Sequence, residues 1–162
     1  MVKLAFYKAF PSGRPYQKVI AYWTGRGPYC HTEIVFENWN GRFYSNMDVR
    51  EHDVGGTLCF SSAENDGGTR FKILDLNPQQ WDLVDVPIEY DKALAWCIAH
   101  QHIKYDFWGL RGFVFGRDDA NPNDLWCSET AIKCCEDQGY LAGFPTNISP
   151  NALAELVEVQ HG

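Results

Sequence analysis

The stretch YCHTEIVFE, residues 29–37, alternates cleanly, and that alternation decides how the rest of the chain is read. In a strand, successive side chains point to opposite faces. Thr32, Ile34 and Phe36 therefore share one face, and His31, Glu33 and Val35 share the other. Working outward, VKLAFYKA (2–9) is a strand candidate that ends at the turn FPSGRP, and YQKVIAYWTG (16–25) has helical spacing, with Tyr16, Ile20 and Trp23 on one face before Gly25. After the turn NWNG, the run RFYSNMDV (42–49) is a second strand candidate. GTLCFSS and TRFKILDL, separated by AENDGG, are two more, and WDLVDVP is another.

Helical patterns dominate the rest. EYDKALAWCIAHQHI, from about Glu89, is amphipathic, and YDFWGLRGFVFG is a short helix or an irregular aromatic segment. The loop DDANPND then leads into a helix over about 125–138, and SPNALAELVE forms a final helix starting at Ser149 or Pro150. Strands first and helices later make the class α+β in a single domain spanning 1–162.

Composition narrows the function. A 45% hydrophobic and 22% charged chain is ordinary for a globular protein. The net charge of -7 argues against general nucleic-acid binding, which runs on basic patches. There is no run of about 18 to 20 apolar residues for a transmembrane segment. Lys3 and Lys8 interrupt the N-terminal apolar stretch, so no signal peptide is expected and the expected location is cytoplasmic. Six scattered cysteines read as reduced thiols rather than a disulfide framework.

Three of those cysteines fall in LWCSETAIKCC, residues 125–135. Cys127 falls in the first turn of its helix, with Asn123 or Asp124 as expected N-cap, where free N–H groups and the helix dipole favour a thiolate. The alternative reading is a small buried hydrophobe, and core packing is the better reading of Cys134 and Cys135. Seven or eight residues along a helix separate Cα atoms by about 10 to 12 Å, too far for a disulfide with Cys127. No CxxC or HxxxH pair occurs to supply half a zinc site, so no metal is expected.

A cysteine nucleophile needs a base nearby in space. Of the five histidines, His161 lies in the tail, His52 in a polar loop, and His100 and His102 at a helix end where imidazoles are commonly structural. His31 begins a strand and shares its face with Glu33, which suits either a base or a surface histidine.

KVIAYWTGRGPYCHTEIVF, SSAENDGGTRFK, KYD and the helix-opening CSE together resemble the circularly permuted, YiiX-like branch of the NlpC-type cysteine peptidase superfamily, related also to the lecithin retinol acyltransferase family. The resemblance runs from about Tyr16 to about Cys135 and implies a papain-like fold in which the histidine strand precedes the cysteine helix. It implies Cys127 as nucleophile and His31 as base, in a hydrolase of peptides, amides, esters or thioesters that needs no cofactor. Peptidoglycan-like peptides, protein isopeptides and lipid acyl chains are all handled by such folds.

The third, orienting residue of that family lies on the strand next to the histidine. Parity in TLCFSS points to Ser61; Glu33 is the rival, since a carboxylate would stabilise imidazolium. An inserted hairpin expected over about 38–55 separates these strands and makes Ser45 a weaker candidate. Tyr105 and Asp106 are expected to close the approach to the cysteine helix, and Glu129 to support its N-terminus. The competing reading is a non-catalytic binding or structural protein on the same fold, since fold alone does not carry function.

Overall fold

A computed structural model describes residues 1–10, 15, 17–18, 27–41, 44–52, 55–106 and 123–161. The chain is α+β. Its strands are β1 (Val2–Lys8), β2 (Tyr29–Phe36), β3 (Val49–His52), β4 (Thr57–Ala63), β5 (Gly68–Leu74) and β6 (Trp81–Asp85). A single 3-10 turn, Glu64–Asp66, joins β4 to β5. Three helices are described: α1 (Tyr90–Ala99), α2 (Cys127–Glu136) and α3 (Pro150–His161). No helix among the described residues is long and apolar enough to cross a membrane.

The strands form one mixed sheet in the order β3-β5-β4-β2-β1-β6. All neighbours are antiparallel except β3 and β5, which are parallel. Period-2 alternation gives the sheet two different faces. Leu4, Phe6, Ile34, Phe36, Leu58, Phe60, Phe71 and Ile73 make one face, which packs on Ala93 and Leu94 of α1, Ala131 and Ile132 of α2, and Leu153 and Val157 of α3. Each fully buried phenylalanine there contributes roughly 1.5 to 3 kcal/mol by removal from water. The opposite face carries a small apolar cluster, Ala5, Val35, Cys59 and Trp81, beside a row of polar side chains.

Two expectations need correcting. Within the expected strand 42–49, the described residues 44–48 are not a strand: Ser45 lies in an exposed turn, and β3 begins only at Val49 and pairs in parallel with β5. The physical reason lies in Gln101, beyond α1. Its side-chain oxygen accepts the Asp48 N–H (2.8 Å) and its side-chain NH2 donates to the Asn46 carbonyl (2.8 Å), holding this segment at the far edge of the sheet. The cysteine helix also starts later than expected, at Cys127, with Trp126 in extended conformation as its N-cap. Of the helix expected over 16–25, only Gln17 and Lys18 fall within the described residues, both helical; the aromatic segment 107–116 lies outside them.

One glycine positions the approach to α2. Gly68 has φ +144°, and a Cβ there would stand 1.9 Å from the Ile103 carbonyl oxygen. Its bareness lets the segment after α1 lie against β5, where the Thr69 N–H donates to the Ile103 carbonyl (2.8 Å). Tyr105 then bridges to Leu125, and the Leu125 N–H donates to the Lys104 carbonyl (2.9 Å). The chain is thereby delivered to Cys127 from a fixed point on the sheet.

Candidate active site

β2 carries the histidine, and its first residues are anchored before the ring is reached. The side-chain amide of Asn151 on α3 accepts the Tyr29 N–H (2.8 Å) and donates to the Tyr29 carbonyl (2.9 Å). Lys8 pairs with Tyr29 and Tyr7 with His31, so Cys30 is an extra, bulged residue between them. Bulges re-aim side chains, and this one immediately precedes His31.

The ladder between β2 and β4 runs only from Phe36 to Ile34. Beyond it, side chains take over. The Ser61 hydroxyl donates to the Thr32 carbonyl (2.6 Å), and the Ser62 hydroxyl to the Leu125 carbonyl (2.5 Å). The two strands part where Leu125–Cys127 arrives, so a thiol on the first residue of α2 reaches a ring on β2.

His31 and Cys127 meet there. Both line the same cleft, and the Cys127 thiol is near enough to act electrostatically on the imidazole. His31 Nε2 lies 2.9 Å from Glu33 Oε1, so Nδ1 is the ring nitrogen not engaged by Glu33. The ring stands edge-on to Trp81, with centroids 6.5 Å apart. Burial works against charge on His31, but Cys127 and then Glu33 outweigh it and push the imidazole up to about 9. Glu33 is 1% exposed. Burial opposes its ionisation too, yet the Arg70 guanidinium and His31 hold it down at about 2.

Behind Glu33 lies a group that sequence reasoning passed over. Arg70 Nη1 donates to Glu33 Oε2 (2.9 Å) and Nη2 to Oε1 (2.7 Å), a two-pronged pair. Its Nε donates to Asp66 Oδ2 (2.6 Å), and Asp66 Oδ1 pairs with Lys72 (3.0 Å). The signal was present in TRFKIL: Arg70 and Lys72 alternate with the core residues Phe71 and Ile73.

The helix start is built without an N-cap side chain. Trp126 makes no side-chain cap bond; instead the Glu129 carboxylate accepts from the Trp126 N–H, the reach-back half of a capping box. The Thr130 hydroxyl donates to the Trp126 carbonyl (2.7 Å), and the Ser128 hydroxyl to the Ile148 carbonyl (2.6 Å). Neither Asn123 nor Asp124 is the cap, because the helix begins three residues later than a cap at Asn123 would require and two later than one at Asp124.

A cavity of about 260 Å³ opens over this centre, lined by Cys127, His31 and Glu33, by the rings of Tyr7, Trp81, Tyr105 and Trp126, and by the turn Glu64–Asp66. Cys127 is 7% exposed and the His31 side chain 23%.

Of the sequence candidates, the structure brings Cys127, His31 and Glu33 together. Ser61 sits on the expected face, but its hydroxyl is committed to Thr32 and its carbonyl accepts from Arg70 Nη1 (3.3 Å); the His31 nitrogen is taken by Glu33 instead. Ser45 is remote, on the exposed turn before β3. Tyr105 lines the cleft, and the Asp106 N–H donates to the Leu125 carbonyl (3.2 Å), securing the approach to α2. Cys134 and Cys135 are fully buried in the core. His100 stacks on Trp96, and His102 stands 3.8 Å from Asp48, both away from the cleft. The side chains of His52 and His161 lie outside the described residues. Among the described residues no group of His, Cys, Asp and Glu is arranged to hold a metal ion.

Comparison with family models, with curated proteins and with solved structures returns no match to this chain.

Proposed function

We propose that this chain is a cysteine hydrolase that cleaves an amide, ester or thioester through an acyl-enzyme on Cys127. The observation that carries the reading is the His31 ring, bonded through Nε2 to Glu33 and sharing the wall of an aromatic-lined cleft with Cys127, which acts electrostatically on it. The chain order supports the permuted papain-like arrangement, since the histidine strand β2 precedes the cysteine helix α2.

In this mechanism His31 takes the thiol proton, and the resulting Cys127 sulfur attacks the substrate carbonyl carbon. The oxygen then carries negative charge, which the N–H groups opening α2 stabilise, because a helix N-terminus presents donors and a positive dipole end. As the tetrahedral species collapses, the carbon–leaving-group bond breaks and the imidazolium returns its proton to the departing amine, alkoxide or thiolate. Water, deprotonated by His31, attacks the thioester, and the sulfur leaves. Glu33 holds the ring in orientation and stabilises its charged form throughout.

A cysteine-directed acyl probe tests the reading. The wild type should label at Cys127; labelling should vanish in Cys127→Ala and fall by at least about 100-fold in His31→Ala, the scale of a lost general base. Brief iodoacetamide treatment near pH 6 should likewise choose Cys127 over the fully buried Cys59 and Cys97. Labelling that ignores His31 would leave a cleft that binds without catalysing.

A further inference from the structure

Arg70 is 3% exposed and four of its bonds are accounted for: two to Glu33, one to Asp66 and one to the Ser61 carbonyl. Its position on β5 is directly opposite Ser61 on β4, one strand removed from Glu33. None of its bonds reaches His31 or Cys127. We propose that Arg70 is a positioning residue of the cysteine centre, acting through Glu33 by fixing the plane of the carboxylate and keeping it an anion, so that the proton between Glu33 and His31 stays on the ring. This inference rests on the hydrolase reading above.

The reasoning is electrostatic. A buried carboxylate beside an imidazolium can neutralise both by drawing the proton onto its own oxygen, because burial disfavours charge. The ring would then be a neutral imidazole, and Cys127 would lose its cationic partner. A guanidinium forked onto both carboxylate oxygens opposes that transfer, since each prong stabilises only the anion. Oε1 is shared between Arg70 Nη2 and His31 Nε2, so the fork also sets the direction from which the ring is held.

The charges behind the ring balance: Glu33 and Asp66 against Arg70 and Lys72. The other titratable groups lining the cleft around His31 are Cys127 on α2, Cys30 on β2, Tyr7 on β1, Tyr105 before α2 and Glu64 in the 3-10 turn. Cys59 on β4 lies near Glu33. None of these is a cation that could replace the guanidinium.

The test measures two things as pH falls: the Glu33 carboxyl carbon by NMR of glutamate-labelled protein, and the rate at which iodoacetamide alkylates Cys127. In the wild type the Glu33 signal should stay constant from pH 7 to pH 4. In Arg70→Met it should titrate within that window, and the acid limb of alkylation should move to higher pH by about one unit or more. In a Glu33→Gln background, Arg70→Met should shift that limb no further, because the residue it acts through is gone. An equal shift in both backgrounds, or a Glu33 signal unmoved by Arg70→Met, would overturn the proposal. Should Arg70→Met fail to fold, Arg70→Lys serves: the charge remains but the fork is lost, so the limb should stay in place while the alkylation rate falls about tenfold. An unchanged rate there counts against positioning. Indiscriminate alkylation of the wild type would instead remove the hydrolase reading, and the Glu33 titration would still decide whether Arg70 holds that carboxylate ionised.

Discussion

Replacing Glu33 by glutamine keeps the shape of the side chain and removes the charge that binds Arg70 and His31, and its cost should depend on pH in a calculable way. The folded carboxyl is held at about 2 against an ordinary 4.5. At 1.36 kcal/mol per pH unit, the gap makes about 3 kcal/mol of stability. The group is depressed, so this stability is fully present above about pH 4.5 and is lost as pH falls through about 2. By linkage about 2 kcal/mol of it is gone at pH 3. The side chain is almost wholly buried, so solvent screening does not reduce the figure much. Urea unfolding of the wild type and Glu33→Gln at several pH values between 7 and 3 isolates the effect, because the other carboxylates are common to both. The wild-type advantage should be largest at pH 7, where the substitution leaves the buried guanidinium with Asp66 and the Ser61 carbonyl, on the order of 3 to 5 kcal/mol. It should shrink by about 2 kcal/mol at pH 3. A difference that stays constant with pH would refute the claim that Glu33 is a stabilised buried anion, and with it the electrostatic account of the ring it holds.

Two further substitutions separate the centre from its surroundings. Ser61→Ala should cost about 1 kcal/mol for the bond to Thr32 and leave the pH profile of Cys127 alkylation where it was; a shifted profile would restore Ser61 as an orienting residue. Cys134→Ala or Cys135→Ala should cost about 1 to 2 kcal/mol in chemical denaturation, as small buried side chains do, without altering selective labelling of Cys127. Loss of that selectivity would show that the two thiols contribute to the chemistry.

The alternation of residues 29–37 carried most of what was legible. It placed His31 and Glu33 on one face and Ile34 and Phe36 on the core side, because period 2 is a local property of the chain. Parity also placed Ser61 on the face of Glu33, but parity says nothing about reach. The serine hydroxyl extends only to the neighbouring backbone, whereas the longer glutamate side chain crosses to the ring. The position of β3 depended on Gln101, some fifty residues further along, and no local pattern near residue 45 records that contact. The start of α2 was misplaced for a related reason. Asn123 and Asp124 look like caps, yet the orphan N–H of Trp126 is satisfied from inside the helix by Glu129. Arg70 was hidden by the usual rule for charged residues on a strand's polar face, which is that they meet solvent. Here they meet each other.

A helix packed on one face of the sheet and a histidine carried on the other line one cleft. α2 buries Ala131 and Ile132 against the apolar face, while His31 shares its parity with Glu33 and Val35. An unbroken ladder would keep ring and thiol on opposite sides of the backbone. Two local departures remove the barrier. The bulge at Cys30 turns the first residues of β2, and the ladder to β4 stops at Ile34, so the strands separate beyond that point. Serines then fasten the open end, Ser61 to Thr32 and Ser62 to Leu125, two residues before Cys127. A split sheet would otherwise leave buried backbone carbonyls unpaired, at about 1 to 3 kcal/mol each. The paired serines at 61 and 62, one projecting to each face, supply donors to two of those carbonyls.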